Sequence, residues 1–117
     1  MATLSMQAPR RDVLLHRGVD ETWAWRCLKD QQDGSGLQRM DVSGWSATLT
    51  MTLPDGREAY RMTASRMTSS GLIWFDIPAS AFTGSEWAAR PVGDYKVTAS
   101  PPGGGTILIG HGRWTLG

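Results

Sequence analysis

The chain has 117 residues, 40% hydrophobic and 20% charged, which fits one globular domain and excludes a disordered tail. Twelve basic and eleven acidic residues leave a formal charge of +1, which argues against a surface built to attract nucleic acid or an anionic membrane. No run approaches the ~18 apolar residues of a membrane-crossing helix.

Residues 1–11 show no clean period. Pro9 and the Arg10–Arg11 pair suggest an extended basic arm, with Arg10 and Arg11 as candidate interface residues that order on a neighbouring subunit. The segment does not read as a signal peptide, because it has no positive n-region and Arg10, Arg11 and Asp12 interrupt before an apolar stretch forms. From Asp12 onward the hydrophobic period is two. A short strand over 12–17 ends at Gly18, and a second over 21–29 sets Trp23, Trp25 and Cys27 on one face. The clearest strand is 44–53. Trp45, Ala47, Leu49, Met51 and Leu53 alternate there with Ser46, Thr48, Thr50 and Thr52, so one face is buried and the other is Thr-rich and solvated. Pro54-Asp55-Gly56 carries turn chemistry, and 57–64 follows as the hairpin partner.

The strand over 71–77 places Ile73, Phe75 and Ile77 inward, and Leu72 and Trp74 outward. Pro78 to Phe82 opens one or two helical turns that connect opposite sheets. Thr83-Gly84 breaks them, and Pro91 ends what precedes. A strand over 93–100 groups Tyr95, Val97 and Ala99. The last, over 106–116, is interrupted by Gly110 and Gly112, which mark a bulge or a close backbone approach. Seven strands with turn signals between them predict an all-β, seven-stranded antiparallel immunoglobulin-like sandwich with one short helix, a small barrel being the rival architecture. The domain plan is an arm over 1–11 and a single sandwich over 12–117.

No residue pattern points to catalysis. The one cysteine, Cys27, lies in an apolar segment and reads as a small buried side chain. His16 and His111 read as surface or strand-edge residues. Asp30 to Gly36 lacks the alternating acids and closing Glu of a calcium loop. There is no nucleophile elbow, dinucleotide fingerprint or phosphate loop. The expectation is no enzyme, no cofactor and no metal. Six Trp exceed what a core of this size takes up, which is three or four. Trp74, on an outer strand face, and Trp87, in a loop, are therefore the aromatic interface candidates. They are also the platforms on which a carbohydrate-binding module would stack a host-envelope glycan.

The order of the short motifs resembles a known group. His16-Arg17-Gly18-Val19-Asp20-Glu21-Thr22 leads into an aromatic strand, and Asp41-Val42-Ser43-Gly44-Trp45 opens the alternating one before Pro54-Asp55-Gly56. Gly71-Leu72-Ile73-Trp74-Phe75-Asp76-Ile77-Pro78, Gly93-Asp94-Tyr95-Lys96-Val97 and Gly110-His111-Gly112-Arg113-Trp114-Thr115 follow in order. Over about 12–116 this is similar to the small β-sandwich of minor tail and baseplate proteins of long-tailed phages. It is most similar to the lower tail-fibre C (LtfC-like) sandwich of mycobacteriophages, and more loosely to the N-terminal domain of baseplate upper proteins. Ten Arg against two Lys, with no Asn, fits the GC-rich genome of such a phage. The resemblance implies a structural virion protein of the tail tip, made in the bacterial host cytoplasm. Its partners would be other tail-tip proteins and symmetric copies of itself. Capsid decoration is the other structural option. The chain stops at Gly117, where baseplate upper proteins continue into further domains.

Overall fold

The computed structural model describes residues 10–30 and 37–117. Its strands are β1 (Val13–Leu15), β2 (Glu21–Arg26), β3 (Leu28–Asp30), β4 (Leu37–Arg39), β5 (Ser46–Thr52), β6 (Glu58–Thr63), β7 (Arg66–Met67), β8 (Leu72–Ile77), β9 (Val92–Ser100) and β10 (Ile107–Leu116). A five-stranded sheet runs β1-β10-β9-β5-β6, a three-stranded sheet runs β2-β8-β7, and β3 pairs with β4. The two larger sheets share one core, so the molecule is an all-β sandwich.

The period-two reading of β5 holds in three dimensions. Ala47, Leu49 and Met51 are buried, and Ser46, Thr48 and Thr52 face outward. Thr50 departs from the pattern with 7% exposure. It lies on the outer face of a central strand, flanked in register by Arg61 of β6 and Lys96 of β9. The Pro54-Asp55-Gly56 turn forms as expected: Gly56 sits at φ 90, and the Leu53 N–H donates to the Arg57 carbonyl at 2.8 Å. Ile73, Phe75 and Ile77 point inward from β8, and Tyr95, Val97 and Ala99 from β9.

Three features differ from the sequence reading. The expected strand over 21–29 divides at Cys27. The Cys27 N–H donates to Gly71 at 2.7 Å, but its carbonyl accepts from Met40 at 3.1 Å, so the chain leaves β8 there to pair with β4. With β4 and the two-residue β7, this brings the strands to ten among the described residues rather than seven. The sheet is not wholly antiparallel, because β1 runs parallel to β10, with Val13 opposite Trp114 and Leu15 opposite Leu116. The single short helix is two 3-10 helices, Ala79–Phe82 and Ser85–Ala89, broken at Thr83-Gly84 as expected. They carry the chain from β8 in one sheet to β9 in the other.

Aromatic side chains make two ladders inside the sandwich. Trp23 and Trp25 of β2 meet Tyr95 of β9 across the sheets, with ring centroids 5.5 and 6.0 Å apart. At the other end Tyr60, Phe82, Trp87 and Trp114 follow one another edge to face, at 5.3, 4.8 and 5.9 Å.

Candidate interaction surface

The four residues singled out from sequence occupy three different environments. Arg10 and Arg11 lie along β10. Arg10 makes a parallel bridge with His111, and the Arg11 N–H donates to the His111 carbonyl at 2.9 Å. The Arg11 guanidinium sits 4.2 Å above the Trp25 ring, and its carbonyl accepts the Tyr95 hydroxyl. Asp12 completes the attachment. Its carboxylate accepts the Arg113 N–H at 2.9 Å and lies 3.4 Å from the Arg10 guanidinium. The end of the expected arm is thus held against its own domain; residues 1–9 lie outside the described residues.

Two glycines make that attachment possible. A Cβ on Gly112 would overlap the Arg11 carbonyl, and a Cβ on Gly110 would overlap the Trp25 ring. Both alternatives read from the sequence occur together here, since the β9–β10 register shifts between Leu108 and Gly110. Tyr95, Trp25 and His111 were not assigned to the arm from sequence. The Gly-His-Gly signal was visible, but not what approaches it. Burial holds the Tyr95 phenol above its ordinary range, so it stays a hydrogen-bond donor.

Trp87 is not a surface residue. It is 3% exposed, wedged between Phe82 and Trp114, with the Arg90 guanidinium 5.1 Å from its ring. Its carbonyl accepts from the Arg17 guanidinium at 2.8 Å. A 3-10 helix in place of a loop turns its indole inward. Trp74 does lie on the outer face of β8 and is half-buried, but the Arg66 guanidinium stacks 4.9 Å over its ring. Four Trp are buried (Trp23, Trp25, Trp87 and Trp114), while Trp45 and Trp74 are half-buried.

The remaining polar groups are mostly tied to turns. His16 bonds the Glu21 carboxylate at 3.1 Å. A groove of about 360 Å³ is bordered by Asp20, Glu21 and Asp76, but Asp20 accepts the Ala79 N–H at 2.7 Å and Asp76 accepts from Thr22 at 3.2 Å. A second groove of about 390 Å³ runs between Pro54 and Pro91, rimmed by Arg57 and Arg90. Cys27 is 1% exposed, and burial pushes its thiol up to about 11, which makes it a poor nucleophile at neutral pH. Of the stretch from Asp30 to Gly36 weighed as a calcium loop, residues 31–36 lie outside the described residues.

No protein-family model matches the chain, and no curated protein matches it. Among solved structures, the extracellular domains 3–5 of Drosophila OTK match at 15% identity and a TM-score of 0.37. That match covers 98% of this chain and 34% of the other, so the chain spans about a third of the solved chain it resembles. At that TM-score the likeness adds nothing to the fold described above.

Proposed function

We propose that this chain is a structural virion protein, a minor tail protein of the phage tail tip or baseplate that acts by protein–protein assembly. Its partners are other tail-tip proteins and copies of itself, and its location is the virion tail. The observation that carries the reading is where the phage-like motifs fall. Gly18, Gly44, Gly56 and Gly71 take the positive φ their turns require. Gly110 and Gly112 admit Trp25 and Arg11, and at Gly93 a Cβ would overlap the Thr52 carbonyl. The motifs on which the resemblance to tail sandwiches rests therefore mark joints of the scaffold, as suits a protein whose role is shape.

The finer fold assignment belongs to the same proposal. The sheet β1-β10-β9-β5-β6 opposite β2-β8-β7 supports an immunoglobulin-like reading of the sandwich. In antibody domains a disulfide joins the sheets, with a tyrosine two residues before its second cysteine. Here Val97 stands two residues after Tyr95, and the Tyr95 hydroxyl donates to Arg11 instead of to a nearby turn.

The test is co-expression with the tail-tip proteins encoded by the same phage, followed by electron microscopy of the purified product. A symmetric complex containing this chain is expected, and no stable complex with any of them would refute the proposal. Deleting residues 1–10 removes the start of the Arg10–Asp12 attachment, and virion incorporation of the truncated chain is expected to fall. Unchanged incorporation would remove the arm from the assembly. The sugar-binding alternative retains only Trp74, one ring face of which Arg66 covers. Glycan-array binding that is lost in Trp74→Ala would revive it.

A further inference from the structure

We propose that the outer edge of β2 is a self-association edge at which a second copy of this chain adds its own β2, antiparallel, across a two-fold axis. Among the described residues β2 has a neighbour on one side only, β8. The register shows which main-chain groups are left over. The Cys27 N–H donates to Gly71 at 2.7 Å, and this pair continues the β2–β8 register, in which Trp25 faces Ile73 and Trp23 faces Phe75. The hydrogen-bonded pairs of an antiparallel ladder alternate with non-bonded ones. The bonded positions are thus Glu21, Trp23, Trp25 and Cys27. Thr22, Ala24 and Arg26 turn their N–H and C=O groups to the other edge, which has no partner strand among the described residues.

A two-fold axis through Ala24 satisfies all of them. Ala24 then faces Ala24 of the second copy, and Thr22 and Arg26 face its Arg26 and Thr22. Each bonded pair exchanges two hydrogen bonds, so the three pairs make six. The product is a continuous six-stranded sheet, β7-β8-β2 joined to its symmetry copy. An isologous contact of this kind closes on itself and does not polymerise.

Charge and size select a second copy as the occupant. Asp20 and Glu21 stand where β2 begins, and Arg26 where it ends. Antiparallel self-pairing places each Arg26 diagonally across from the other copy's Asp20, within reach of a long side chain. The residue on the axis is Ala24, small enough for two copies to approach. This inference rests on the proposed assembly role only for its biological setting. Dimerisation in solution is read without the virion, so its failure and the failure of the tail-tip assignment are separate results.

The experiment is sedimentation velocity of the full chain over a concentration series, with backbone hydrogen exchange at both ends of the series. A monomer–dimer equilibrium is expected. Protection at Thr22, Ala24 and Arg26 should rise with concentration, while Trp23 and Trp25, already bonded to β8, stay constant. Arg26→Glu puts a like charge beside Asp20 of the second copy and should weaken the dimer at least about tenfold. Ala24→Pro removes an outward N–H without touching the β8 ladder and should abolish the dimer. Near-ultraviolet circular dichroism verifies that each variant is folded, and Arg26→Glu, an exposed change, decides the matter if Ala24→Pro is not. Three results would overturn the proposal: a monomer throughout, a dimer indifferent to Arg26→Glu, or equal protection of the three edge amides at every concentration. The last would show that the chain's own residues cover the edge.

Discussion

Replacing Trp87 with alanine separates a core residue from a contact residue. The indole is 3% exposed and lies edge to face with Phe82 at 4.8 Å and with Trp114 at 5.9 Å. Truncating a buried Trp to Ala costs about 3–5 kcal/mol in transfer and cavity terms. A domain of this size has a total stability of about 5–15 kcal/mol, so Trp87→Ala should remove roughly a third of it. In urea the midpoint should fall with little change in slope, and the melting temperature should drop by about 10–20 °C. Trp74→Ala serves as the comparison. It deletes a half-exposed ring and one guanidinium stack at 4.9 Å, for a cost of about 1 kcal/mol. If Trp87→Ala lost less than about 1 kcal/mol, no more than an ordinary surface substitution, the packing argument would be wrong. Trp87 would then return to the surface residues.

The arm attachment makes its own predictions. Tyr95→Phe removes only the hydroxyl that donates to Arg11; it should cost about 1 kcal/mol and speed hydrogen exchange at the Arg11 amide. Gly112→Ala should cost about 1–3 kcal/mol, because the Arg11 carbonyl that its Cβ would overlap is backbone and cannot swing away; unchanged exchange at Arg11 would contradict that. Cys27 should react slowly with a thiol reagent at about pH 8 and rapidly once urea exposes it. Its thiol ionises near 9.0 when exposed and at about 11 when folded, so the unfolded chain loses its proton first and stability should decline from pH 9 to 11. A Cys27→Ala chain should lack that part of the decline in urea titrations. In acid the sign reverses for Asp41 and Asp55, held below the ordinary carboxylate value by hydrogen bonds from Ser43 and from Arg57 respectively. Their small contribution is present above pH 3.8 and should fade as the pH falls below it, read as faster exchange at the Ser43 and Arg57 amides.

The longer strands were legible in the amino-acid order, for a local reason, whereas the short β4 and β7 and the break at Cys27 were not. A pleated chain sends successive side chains to opposite faces, so the apolar–polar rhythm of β5, β8 and β9 reports burial directly. Pro54-Asp55-Gly56 was legible because its conformation depends on its own residues. Gly110 and Gly112 announced a close approach, but the groups that approach, Trp25 and the Arg11 carbonyl, lie far earlier in the chain and had no signature beside them. Trp87 and Trp74 could not be sorted for a related reason. Trp87 sits in a 3-10 helix with no long period, and its burial depends on where Phe82 and Trp114 come to rest. The parallel entry of β1 beside β10, like the single neighbour of β2 among the described residues, is a property of which strands meet. Local rhythm fixes which face of a strand is buried, whereas neighbours are chosen by the packing of the whole core.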